Sequence, residues 1–147
     1  MVLPGDYEVR LTAGGETLRK PITVTLDPRF HVSAQDLRRQ LELSQDIAAA
    51  MAATYQVFND ATRLRTDAAD AQQEKLKAVA DSVGPLNRDL TRLLIGVDQS
   101  DTAPAAMMVE QWNALCQDTK AALARWNGVR PESAPKAPPE LNCASRP

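Results

Sequence analysis

A chain of 147 residues with 44% hydrophobic and 24% charged residues has the make-up of one ordinary globular domain or two small ones, but only 4% is aromatic, so its core must be built mainly from Leu, Ala, Val, Ile and Met. The formal net charge of −2, with both signs mixed along the chain, offers neither the basic stripe of a nucleic-acid binder nor the charge pattern of an acidic-lipid binder. The longest uncharged apolar run, Ile47 to Ala53, falls far short of the ~20 residues that cross a bilayer, and Met1-Val2-Leu3-Pro4-Gly5 has neither the basic nor the apolar region of a signal peptide.

The first element predicted is a β-hairpin. Tyr7, Val9, Leu11 and Ala13 alternate with Asp6, Glu8, Arg10 and Thr12, the period of a half-buried strand. Gly14-Gly15 can take the positive φ angles of a tight turn, and Leu18, Ile22, Val24 and Leu26 return on the same face. A two-residue loop sets Leu11 opposite Leu18 and Tyr7 opposite Ile22. Lys20 breaks the apolar row and Pro21 removes a ladder donor, so a bulge or a sheet edge is expected there. In this register Val24 and Leu26 overshoot the first strand and face Pro4-Gly5. An isolated hairpin is marginal in water. Burial of Tyr7, Val9, Leu11, Ile22, Val24 and Leu26 would contribute on the order of 10 kcal/mol, so this face is the candidate interface. Tyr7, just after Gly5 at a strand start, suits either a tyrosine corner of an Ig-like sandwich or a plain core tyrosine. The hairpin lies almost at Met1, and the chain therefore reads as the C-terminal end of something larger.

Asp27-Pro28 ends the second strand. Ser33 to Asp36 resembles a capping box, and Leu37, Leu41, Ser44, Ala48, Met51, Tyr55 and Phe58 recur at helical spacing, widened by Leu43 and Ile47. This predicts a helix ending near Arg65. Thr66-Asp67 can break it before a second helix over 68–83, or the first helix can run straight through. Gly84-Pro85 is expected to stop it either way, and Leu86, Leu90, Leu93, Leu94 and Val97 make a short further helix. Asp98 to Asp101 reads as a loop, with Thr102 and Pro104 as the next helix start. Met108, Trp112, Leu115, Thr119, Ala122 and Trp126 form the last stripe, with Gly128 as its expected terminator and both tryptophans as core residues. The four prolines of Pro131 to Pro139 predict an extended, unpacked tail, although Leu141-Asn142-Cys143 can dock back. Cys116 in a helix and Cys143 in the tail do not define a disulfide framework, so a buried thiol and an exposed tail thiol are expected.

The predicted fold is α+β and mostly α: a terminal hairpin over 1–29, an antiparallel three- or four-helix bundle over 30–128 and a Pro-rich tail over 129–147. No catalytic, cofactor or metal residue emerges. His31 is the only histidine, which leaves no His-based triad or His-rich zinc site. Asp67, Asp70 and Glu74 share a helix face and Asp98 and Asp101 a loop, but no apolar pocket is in evidence to raise a carboxyl pKa. The twelfth position counted from Asp98 is Val109, where an EF-hand needs Glu.

Leu3-Pro4-Gly5-Asp6-Tyr7-Glu8-Val9-Arg10-Leu11, Pro21 to Arg29, Asp36-Leu37 and Leu43-Ser44 together resemble the C-terminal region of large bacterial BNR-repeat, sortilin-like β-propeller proteins, often labelled glycosyl hydrolases. Asp101-Thr102-Ala103-Pro104 and Ala124-Arg125-Trp126-Asn127 extend the resemblance over most of residues 3–128, while 67–83 and the Pro-rich tail depart from it. The resemblance implies that the hairpin is the last two strands of an Ig-like domain, that an upstream propeller carries whatever substrate site exists, and that the whole is periplasmic or secreted. It implies a non-catalytic structural or interaction module whose partners are upstream domains or another protein surface. The alternatives are a free-standing helical adaptor that dimerises or binds through the hairpin edge, and a hydrolase by family label.

Overall fold

The computed structural model describes residues 2–29, 31–99, 101–136, 138–139, 141 and 143. Strands β1 (Gly5–Ala13) and β2 (Glu16–Val24) form an antiparallel two-stranded sheet, followed by α1 (Ala34–Arg65), α2 (Asp70–Asp98) and α3 (Ala106–Val129). The fold is α+β and mostly α, a hairpin followed by a three-helix bundle.

Helix α1 starts where its capping chemistry predicts. Ser33 is extended, its hydroxyl accepts from the Asp36 backbone N–H at 3.0 Å, and it donates to the Asp36 carboxylate at 2.7 Å. The helix spans 32 residues, about 48 Å, and ends at Arg65, so the break after it is real. Its buried face carries Leu37, Gln40, Leu43, Ser44, Ile47, Ala50, Ala53, Thr54, Val57 and Ala61. That is the side marked by Leu43 and Ile47, not the one centred on Ala48, Tyr55 and Phe58, which are exposed. The reason is steric: small residues (Ala50, Ala53, Ala61) let α1 approach its neighbours closely, and the two aromatic rings are left outside.

Helix α2 corrects the expectation that Gly84-Pro85 stops a helix. It runs unbroken from Asp70 to Asp98 with Pro85 inside, so the bundle has three helices rather than four. Pro85 removes the donor to the Asp81 carbonyl, but both residues lie on the exposed side, where water can replace the lost bond. The buried row Leu76, Val79, Ala80, Val83, Leu90, Leu93 and Val97 stays on one face across the proline. Just beyond it, the Asn87 amide donates to the Met51 carbonyl and to the Thr54 hydroxyl, both at 2.8 Å, tying this turn to α1. Packing and these bonds outweigh the local preference for a stop.

The helices run antiparallel in sequence. Gln40, near the start of α1, donates to the Val97 carbonyl at 2.6 Å, and Ser44 donates to Asp98 at 2.6 Å, both at the end of α2. Gln72, near the start of α2, donates to the Val129 carbonyl at the end of α3. Trp112 and Trp126 are both in the core, as their stripe predicts, with Trp126 only 1% exposed. Helix α3 begins at Ala106, leaving Thr102 outside it, and passes through Gly128, which takes no left-handed conformation. What ends it is Pro131: the preceding Arg130 is forced extended, at φ −63° and ψ 137°.

The tail departs most from expectation. Cys116, fully buried in α3, is bonded to Cys143, with Cα atoms 5.8 Å apart. Ala134, Leu141 and Cys143 pack on the core. Arg130 donates to the Pro135 carbonyl at 3.1 Å and Gln56 to that of Lys136 at 2.9 Å. The segment is not extended throughout, as its prolines predict: the Ala134 N–H donates to the Pro131 carbonyl at 2.9 Å and closes a turn, and the covalent anchor holds the tail against the helices. Asn142 lies outside the described residues.

Candidate interaction surface on the hairpin

The hairpin adopts the register its apolar pattern demands. Leu11 pairs with Leu18, Tyr7 with Ile22, and Gly5 with Val24. Gly14 and Gly15 have φ of +60° and +84°, the first two central angles of a type I′ turn, which only glycine or a few polar residues adopt readily. The pairing is continuous through Pro21, which faces Glu8 without a bulge.

Alternation gives the sheet two unlike faces. One carries cross-strand polar contacts: the Thr12 and Thr17 hydroxyls lie 3.0 Å apart, Thr23 donates to Asp6 at 2.7 Å, and Arg19 pairs with Glu8 at 2.6 Å. The other carries Tyr7, Val9, Leu11, Leu18 and Ile22, which are 40%, 53%, 60%, 67% and 48% exposed. Among the described residues no helix packs against either strand. The bundle therefore does not shelter this face. Its charged residues are Lys20, opposite Val9, and Glu16, opposite Ala13 beside the turn.

The six candidate interface residues separate into two groups. Tyr7, Val9, Leu11 and Ile22 lie together on the exposed face, and Val24 closes it half-buried at the end of β2. Leu26 does not belong there, because β2 ends at Val24 and the chain has left the sheet. It lines a hollow with Leu3, Pro4, Val32 and Leu37, where the root of the hairpin meets the start of α1. Leu18 replaces it as the most exposed apolar residue of the sheet, and its place opposite Leu11 in the predicted register was the signal for it.

The two edges of the sheet are also unlike. A two-residue turn makes Ala13 and Glu16 a hydrogen-bonded pair, and such pairs alternate outward along the ladder. The even-numbered residues of β1 (Asp6, Glu8, Arg10, Thr12) and the odd-numbered ones of β2 thus direct their backbone groups away from the hairpin. Pro21 is odd, so its missing N–H falls on the outer edge of β2 and interrupts it. The outer edge of β1 has every donor in place.

Two contacts fix the hairpin root. The Tyr7 hydroxyl donates to the Leu3 carbonyl at 2.6 Å, folding the entering chain back on the strand. Beyond β2, the Asp27 carboxylate accepts from the Arg29 backbone N–H at 2.9 Å and from its guanidinium at 2.6 to 3.1 Å. The Arg29 side chain, then its backbone N–H, holds the Asp27 carboxyl below its ordinary value.

His31, Asp67, Asp70, Glu74, Asp98 and Asp101 are exposed. Among the described residues no three His, Cys, Asp or Glu side chains come together to hold a metal ion, and no helix is long and apolar enough to cross a membrane. A shallow hollow beside Gly84, lined by Tyr55, Phe58, Asn87 and Arg88, brings together no acid–base pair or nucleophile. Comparison with protein-family models, curated proteins and solved structures gives no match.

Proposed function

We propose that this chain is a non-catalytic interaction module: a stapled helical bundle that carries a hairpin whose sheet is completed by other polypeptide. The observation that carries this reading is the apolar face of Tyr7, Val9, Leu11, Leu18 and Ile22, left uncovered by the chain's own helices. Burial of such side chains is favourable by roughly 1.5–3 kcal/mol each, so a partner that covers them has ample driving force.

The resemblance to the C-terminal region of BNR-repeat, sortilin-like propeller proteins names one source of that partner: the remaining strands of an Ig-like sandwich in a longer polypeptide. Two features support it. The Tyr7-to-Leu3 bond is of the kind a tyrosine corner makes at the start of the penultimate strand. The free edge of β1 is where a neighbouring strand of such a sheet would pair. In-frame coding sequence for further strands and propeller repeats ahead of Met1 is the expected finding; its absence would leave the free-standing adaptor as the better account.

The module itself is tested by expressing residues 30–147 without the hairpin. They should stay helical and unfold cooperatively. Collapse would mean that the hairpin belongs to the bundle core. Incubation of the whole chain with model glycosides should give no hydrolysis, and turnover would overturn the non-catalytic reading.

A further inference from the structure

We propose that the 147-residue chain by itself pairs with a second copy along the outer edge of β1, antiparallel and centred on Val9. This rests on the reading of the hairpin as the contact element and names what fills its open edge.

The sequence of β1 is complementary to its own reverse. With Val9 facing Val9 of the second copy, Tyr7 faces Leu11, Glu8 faces Arg10, and Asp6 faces Thr12, each twice by symmetry. The hydrogen-bond phase agrees. Asp6, Glu8, Arg10 and Thr12 direct their backbone groups outward, so they become the bonded pairs of the new ladder, and Val9 sits at a non-bonded pair. Shifting the register by one residue in either copy would set apolar side chains against polar ones.

Charge selects the same arrangement. Within the hairpin Arg10 lies directly opposite Arg19, and only Arg19 reaches Glu8. Among the described residues Arg10 has no ion-pair partner, and like charges facing across a sheet are unfavourable. The second copy's strand brings a carboxylate to Arg10 and a guanidinium to Glu8. On the polar face each row then reads Arg19, Arg10, Glu8 and Pro21 across the four strands, so the like-charged pair gains a carboxylate neighbour, while the apolar face doubles. Growth stops there, because both outer edges of the new sheet are β2 strands interrupted by Pro21. A strand supplied within one longer polypeptide would take the same edge at far higher effective concentration.

Sedimentation equilibrium of the whole chain should show reversible association to twice 16.0 kDa. Arg10→Glu sets two carboxylates against each other on both sides of the axis. It should weaken association by about tenfold or more while leaving the circular dichroism spectrum intact, since it also relieves the Arg10–Arg19 opposition. Val9→Cys should cross-link two chains under mild oxidation, and Leu18→Cys, on the same face but on β2, should not. A dimer indifferent to Arg10→Glu, or cross-linked equally through Leu18→Cys, overturns the register. A monomer whose Glu8 and Arg10 amides exchange freely overturns the second copy but leaves the interaction module standing. A monomer with those amides protected overturns both.

Discussion

Cys116, sealed in the core of the bundle, is covalently joined to Cys143 of the proline-rich tail. The bond closes a loop over a sequence separation of 27 and makes the proline-rich tail part of the fold. Leu141, two residues before the bridge, is buried with it.

Breaking that bond should cost stability without dissolving the bundle. Closing a loop of this length contributes about 3 kcal/mol in the chain-entropy account. Cys143→Ser, or reduction of the native chain, is expected to lower Tm by about 6–12 °C for a chain of this size, measured by thermal melts with and without reductant. The native, unreduced chain should not react with thiol reagents.

The bundle and the hairpin should answer truncation very differently. Trp126→Ala removes the largest fully buried side chain and is expected to cost about 3–5 kcal/mol in urea unfolding. Leu18→Ala removes an apolar side chain that is 67% exposed and should change stability of the isolated chain by less than about 0.5 kcal/mol. An equal cost for both would mean that the hairpin face is covered.

Pro85→Ala restores an N–H to the exposed Asp81 carbonyl within a helix that is already continuous. It should stabilise the chain by about 1–3 kcal/mol, because alanine is favoured over proline by about 3 kcal/mol in a helix interior and part of that gain is lost if the helix straightens away from α1. Chemical denaturation of the pair of proteins checks the sign.

The Asp27–Arg29 contact makes the hairpin root sensitive to acid. The folded Asp27 carboxyl lies below its ordinary value of 3.8, so its contribution is present above that value and is lost as pH falls through the depressed one. Carboxyl NMR titration should show the low value in the native chain and its return to the ordinary range in Arg29→Ala. The helical content should not change over the same acid range, since the group is exposed and belongs to the link.

Much of this protein is determined locally. The alternation from Asp6 to Val24, with Gly14-Gly15 between, sets the turn, the register and both faces of the hairpin, because a period of two excludes odd shifts and the two-residue glycine turn selects one pairing among the rest. Ser33 and Asp36 determine where α1 begins for the same reason: capping bonds form between near neighbours. The candidate surface was legible to that extent, as a face of alternate residues. What remained outside local reach was decided by packing across the chain. Pro85 is tolerated because α1 grips the turn beyond it, Tyr55 and Phe58 are shed because alanines fit the helix interface better, and Leu26 leaves the sheet for the hairpin root. The Cys116–Cys143 bridge depends on a tail folding back on α3, and the exposure of Leu18 depends on where the helices do not go. Each of these joins residues far apart in sequence, and no periodicity within a single segment encodes it.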